Sequence, residues 1–172
     1  MFSAPGAARL SERSPSRVPA KPILVVGLGN PMAGDDGVGF RAAEALALDS
    51  RLPPEVEVLC GGADVLRLAP WFEGRDRVLF VDACLGVHAG EVQVVPHDEA
   101  RLLGSSRPHA HRLSPVEGVE LLLRVTPGMH RDDIRWALVG VRDVRHGDAL
   151  SPGIAAAMPA ITERLLAALA EP

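Results

Sequence analysis

Residues 22–39 read PILVVGLGNPMAGDDGVG. The run from Pro22 to Gly27 is short, apolar and unbroken, and it ends in glycine, which is the pattern of a strand buried on both faces. Gly37–Leu48 then places Phe40, Ala43, Leu46 and Ala47 at helical spacing. A buried strand therefore feeds a helix through a loop of glycines and two aspartates, and that unit is the start of an α/β fold.

The same alternation continues toward the C-terminus. Glu55–Cys60 alternates polar and apolar residues, as a half-covered or edge strand would. Asp64–Phe72 reads as a short helix with Asp64 as its cap, and Arg77–Ala83 as a second strand buried on both faces. Glu91–Val95 follows the turn Ala89-Gly90 and is predicted to return antiparallel to its predecessor. A polar loop is expected from Pro96 to Leu113. Ser114-Pro115, with Glu117 three residues after the serine, is a capping box with proline at the first helical position, opening a helix through Arg124. Ile134–Val141 is the last strand. Ser151-Pro152 opens a C-terminal helix with an apolar stripe at Ile154, Met158, Ile161, Leu165, Leu166 and Leu169, where Pro159 could introduce a kink. The predicted fold is a three-layer α/β/α sandwich around a mostly parallel twisted sheet with one antiparallel strand. Residues 1–20 mix Arg, Ser, Pro and Ala without apolar periodicity and are expected to be a flexible tail. Residues 21–172 form the single domain.

With 172 residues, 47% of them hydrophobic and 23% charged, the chain can bury one sizeable core. A formal charge of −4 gives no general attraction to nucleic acid or to an anionic membrane. Aromatic residues at 3%, with no tyrosine, leave few platforms for stacking bases. Nucleic acid and membrane are therefore not expected partners, and no segment reads as long and apolar enough to span a bilayer. Two cysteines, Cys60 and Cys84, fit a reducing cytoplasm better than a disulfide framework.

Ligands of an open α/β sheet bind beyond the carboxyl ends of its strands. A dinucleotide fingerprint would need glycine where Met32 stands, and it would offer the helix N-terminus to a pyrophosphate. Asp35 and Asp36 occupy that terminus and would repel phosphate, whereas a carboxylate pair suits a cation or proton transfer. The bland alternative is that Asp35 caps the helix and Asp36 complements its dipole. Asp82 ends an otherwise apolar strand at the same sheet edge, where a buried unpaired carboxylate would be costly. Asp36 and Asp82 could thus converge, and two hard carboxylates gain from a third ligand. Of the six histidines, His88, His97, His130 and His146 read as solvated loop residues. His109 and His111 lie just before the Ser114-Pro115 helix start, within reach of the sheet edge. Cys60 and Cys84 read as packing residues, and Gly61-Gly62 as a tight turn.

These residues resemble the hydrogenase maturation proteases, from about Pro22 to the C-terminal helix. The most specific part is Gly27-Leu28-Gly29-Asn30 followed by Asp35-Asp36-Gly37-Val38-Gly39. The resemblance implies an endopeptidase, with aspartates in its machinery, that trims the C-terminal extension from the large-subunit precursor of a [NiFe] hydrogenase. It implies that Asp36, Asp82 and His111 are the metal-binding and catalytic residues, with His111-Arg112-Leu113 fitting the family pattern better than His109. The metal would be nickel, carried by the substrate. Nickel would polarise the scissile carbonyl or position it, or else Asp35 or Asp36 would act as a base toward water. The chain departs from the family's Gly-Gly-Thr-x-Gly turn at Gly61-Gly62-Ala63-Asp64-Val65, and Cys60 stands where an acidic residue is frequent. A second reading follows from that loop: a nickel-centre-binding chaperone or scaffold without proteolysis.

Overall fold

A computed structural model describes residues 8–9, 21–85, 87–104, 114–144 and 147–171. Six strands form one sheet: β1 (Ala8–Arg9), β2 (Ile23–Leu28), β3 (Val56–Gly62), β4 (Arg77–Cys84), β5 (Val92–Pro96) and β6 (Ile134–Gly140). Their order is β1-β3-β2-β4-β6-β5. All neighbours are parallel except β5 and β6, whose antiparallel register sets Val92 opposite Val139 and Val95 opposite Trp136. The mostly parallel sheet with one antiparallel strand is as the sequence predicts. The antiparallel strand's partner differs: β5 pairs with β6, which follows it by nearly 40 residues of chain, rather than with β4. Its return carries it past β4 to the free side of β6, so that β6 fills the position beside β4.

Helices cover both faces: α1 (Val38–Ala47), α2 (Ala69–Phe72), α3 (His97–Gly104), α4 (Pro115–Val125) and α5 (Pro152–Ala170). Strand alternation sorts the core into two layers. Val25, Leu79, Val81, Ala137 and Val139 pack with Val38, Phe40 and Leu46 of α1 and with Ile154, Ile161, Leu165 and Leu169 of α5. Leu24, Val26, Phe80, Trp136 and Leu138 pack on the other side with Trp71, Phe72, Val116, Val119 and Leu122. Phe80 stacks on Trp136 at 4.7 Å between ring centroids at the centre of that second layer.

Several local expectations change. The alternation in Glu55–Cys60 predicts half coverage, yet Val56, Val58, Leu59 and Cys60 are all buried. Glu57 tolerates this because the buried Arg75 reaches it at 2.6 Å. Of residues 1–20, Ala8 and Arg9 lie as a two-residue strand against Leu59 and Cys60. The expected loop 96–113 contains α3: Ala100 and His97 face inward while Asp98, Glu99, Arg101 and Leu102 stay exposed, so one narrow inward stripe suffices for the helix. The capping box at Ser114 is present, its hydroxyl accepting from the Glu117 N–H at 3.3 Å and the Glu117 carboxylate accepting from the Ser114 N–H at 2.8 Å. Asp64 precedes a 3₁₀ turn, Val65–Leu68, without a side-chain cap bond. Finally, α5 meets the length and apolarity for crossing a membrane, contrary to expectation. In this fold it packs one face on the sheet layer, with Ile154, Ile161, Leu165 and Leu169 buried and Glu163 facing solvent.

Candidate active site

The chain leaves β2 toward β3 on one side of the sheet, and later returns to lay β4 on the other side of β2. The carboxyl ends of β2 and β4 therefore flank the point where the winding reverses, the usual ligand crevice of an open α/β sheet. Asp36 follows β2 and Asp82 lies in β4, so the topology brings the two expected carboxylates to that crevice.

Two glycines make the approach possible. Gly29 has φ of 102°, and a Cβ on it would overlap the Asp36 carbonyl oxygen. The loop can therefore fold back on itself only with glycine there. Gly39 lies against the carbonyl oxygens of Val81 and Leu28, where a Cβ would collide with both. This contact seats the start of α1 beside the residue preceding Asp82. The intervening turn, Gly34–Gly37, is a 3₁₀ helix.

The Asp36 side chain is partly exposed, and its Oδ2 accepts the Asn30 N–H at 3.0 Å. Asn30 also organises the loop, its Oδ1 accepting the Met32 N–H at 3.0 Å and its carbonyl accepting the Ala33 N–H at 2.9 Å. Asp82 is half-buried, and its Oδ1 accepts the Ala83 N–H at 2.9 Å. Across the crevice rim, the Gly29 N–H donates to the Gly62 carbonyl at 3.2 Å, tying the loop to the Gly61-Gly62 pair. Gly62 adopts φ of 69°, as the expected tight turn requires.

Asp35 does not cap α1. It is buried, and its two oxygens accept the N–H and the hydroxyl of Ser151, each at 2.7 Å. Cys60 is buried with its Sγ 3.9 Å from the Phe40 carbonyl oxygen, and both cysteines are free thiols. His97, expected in a solvated loop, is fully buried between Trp136 and Glu120. His88 and His130 are exposed. His109, His111 and His146 lie outside the described residues. Among the described residues, no three His, Cys, Asp or Glu side chains gather as a metal cage. Asp36 and Asp82 are the two carboxylates that the topology places at this edge of the sheet.

The loop after β2 carries aspartates, Asp35 and Asp36, at the switch point of an open α/β sheet, where a dinucleotide-binding fold would carry its glycine-rich phosphate loop. Residues 40–168 match the family described as hydrogenase maturation protease. The hydrogenase 2 maturation protease of Escherichia coli K12 is 30% identical over 153 residues, covering 87% of this chain and 91% of that protein. Protein FrxA of Pyrococcus furiosus is 30% identical over 139 residues, covering 80% of this chain and 98% of the relative. Among solved structures, the hydrogenase maturating endopeptidase HybD from E. coli superposes with a TM-score of 0.71 at 27% identity, covering 86% of this chain and 91% of HybD. The chain belongs to the hydrogenase maturation protease family and is a hydrolase.

Proposed function

We propose that this chain is an endopeptidase that removes the C-terminal extension of a nickel-loaded [NiFe] hydrogenase large-subunit precursor, and that it does so in the cytoplasm. The observation that carries the reading is the placement of Asp36, after β2, and Asp82, in β4, at the carboxyl end of two adjacent parallel strands. Carboxylates suit a metal that arrives with ligands of its own, because they contribute charge without filling its coordination sphere. Asp36, Asp82 and His111 bind the substrate's nickel, and that anchoring holds the scissile peptide at the crevice as a near-intramolecular reactant. Water then adds across the peptide bond, the carbonyl carbon taking hydroxide and the departing nitrogen a proton.

The test is cleavage of a nickel-loaded precursor followed by intact-mass spectrometry. Asp36→Ala, Asp82→Ala and His111→Ala should each leave the precursor at full length while the variants keep the wild-type circular dichroism spectrum. Unchanged cleavage in all three would remove the site. The exposed Ala63-Asp64 segment, which departs from the family's Thr-containing turn, favours one competing reading. A chaperone or scaffold would bind the nickel centre of its partner and never shorten it, and a wild-type chain that co-purifies with an uncut, nickel-loaded precursor would favour that reading.

A further inference from the structure

Asp35 and Asp36 are adjacent, yet they are held in opposite ways. Asp36 is partly exposed, and its carboxylate accepts the Asn30 N–H of its own loop. Asp35 is 8% exposed, with each oxygen accepting from Ser151 at 2.7 Å. Ser151 is the residue immediately before α5, so this contact joins the turn before the first helix to the start of the last. Two backbone contacts run alongside it: the Gly34 N–H donates to the Gly147 carbonyl at 2.5 Å, and the Gly147 N–H to the Met32 carbonyl at 3.4 Å. Ala33 and Gly147 form an isolated parallel bridge at the same place. Loop 30–37 is therefore clasped from outside by residues 147–151.

The clasp bears directly on Asp36. Its carboxylate is tied to the Asn30 N–H of the same loop, so the direction in which it points follows the backbone of the turn. The strongest side-chain contact on that turn is the charge-assisted pair at Asp35, a type of bond about twice as strong as a neutral one. Both Asp35 oxygens accept from one serine, so the carboxylate is held at two points on the start of α5.

We propose that Asp35 is a positioning residue: through Ser151 it fixes the loop that presents Asp36, and it does not itself exchange protons with the substrate. The kinetic part of this inference rests on the endopeptidase reading above, whereas the structural part does not.

The variants that separate the roles are Asp35→Ala, Asp35→Asn, Ser151→Ala and the Asp35→Ala/Ser151→Ala pair. Asparagine keeps the clasp, because its amide oxygen accepts the Ser151 N–H and its NH₂ donates to the hydroxyl, but it is no base at neutral pH. The first readout is amide hydrogen exchange of the full chain. Asp35→Ala and Ser151→Ala should speed exchange at Gly34 and Asp36 by about tenfold, the factor that about 1.4 kcal/mol provides, with the amides of α1 beyond Phe40 unchanged and Asp35→Asn close to wild type. The second readout is steady-state cleavage of the nickel-loaded precursor. KM should rise about tenfold with kcat little altered in Asp35→Ala and Ser151→Ala, the signature of weakened substrate binding. The double variant should be no worse than either single, and Asp35→Asn should work. Loss of kcat in Asp35→Asn together with a normal Ser151→Ala would overturn the proposal and make Asp35 a reacting group. Unchanged exchange in both Asp35→Ala and Ser151→Ala would overturn it as well. If Asp35→Ala does not fold, Ser151→Ala carries both readouts. If the wild-type chain cuts no precursor, the endopeptidase reading fails and the exchange measurement still decides the clasp.

Discussion

The indole N–H of Trp136 donates to Nδ1 of His97 at 2.9 Å, and Nε2 of the same ring lies 2.9 Å from a Glu120 carboxylate oxygen. Nδ1 is thus an acceptor and Nε2–H the donor, which fixes the neutral tautomer. Glu120 is held in turn by Arg131 at 2.5 Å, and Arg131 reaches Asp98 at 3.3 Å. This chain of contacts ties α3 to α4 and to the centre of β6.

Burial holds the His97 pKa below its ordinary value of 6.5, outweighing the pull of Glu120 in the other direction. A proton on Nδ1 would also face the Trp136 donor. The unfolded chain therefore binds a proton near pH 6.5 that the folded ring refuses, so this contribution to stability is complete above that pH and declines as pH falls through 6.5 toward the folded value. Urea unfolding at pH 7.5 and at pH 5 should show a smaller loss of stability in His97→Gln than in the wild type. At pH 7.5 His97→Ala should be less stable than the wild type by about 3 kcal/mol, because it strands a buried indole N–H and opens space. Equal pH slopes for wild type and His97→Gln would contradict this account.

The guanidinium of Arg75 is almost fully buried and donates from each of its three nitrogens: to the Trp71 carbonyl at 2.8 Å, the Lys21 carbonyl at 2.6 Å and Glu57 at 2.6 Å. Arg75→Ala removes a buried charge partner of Glu57 and should cost about 3–5 kcal/mol. The replacement of both partners, Arg75→Met with Glu57→Leu, should recover much of that loss. Denaturant midpoints of the three chains measure the difference, and a double variant less stable than Arg75→Ala would refute the pairing argument.

Gly39→Ala should lower stability by about 1–3 kcal/mol, because a Cβ there meets backbone oxygens that have little freedom to move. Cleavage should fall further than stability alone explains, since α1 and Asp36 must shift away from β4. Gly153→Ala, where a Cβ would meet nothing within 4 Å, should stay within about 1 kcal/mol of wild type. Thermal melts and precursor cleavage compare the two.

Ser114→Ala removes the hydroxyl half of the capping box and should cost about 1 kcal/mol. Ser114→Thr should keep most of it. Calorimetry of the two variants checks the difference.

Strand–helix alternation made the three layers readable from residues alone, because Val25 and its neighbours Leu24 and Val26 must all be apolar when both faces are covered. The same pattern hid what depends on distant chain. α3 escaped because only His97 and Ala100 of its first turns face inward, too few to print a helical period. His97 looked solvated for the same reason: its partners Trp136 and Glu120 lie 39 and 23 residues away. That Asp36 and Asp82 lie toward one edge of the sheet was legible because adjacent parallel strands end side by side. The division of labour between Asp35 and Asp36 was not, since neither residue type nor spacing announces Ser151.

The clasp between Asp35 and Ser151 spans 116 positions of sequence. At synthesis rates of about 5–20 residues per second, on the order of ten seconds separate the two residues on the ribosome. A nascent chain can therefore pair β2 with β4 while loop 30–37 still lacks its outer support. Loop 30–37 gains that support only after residues 147–151 have been made, so the turn bearing Asp36 is the later of the two to be fixed although its sequence comes first.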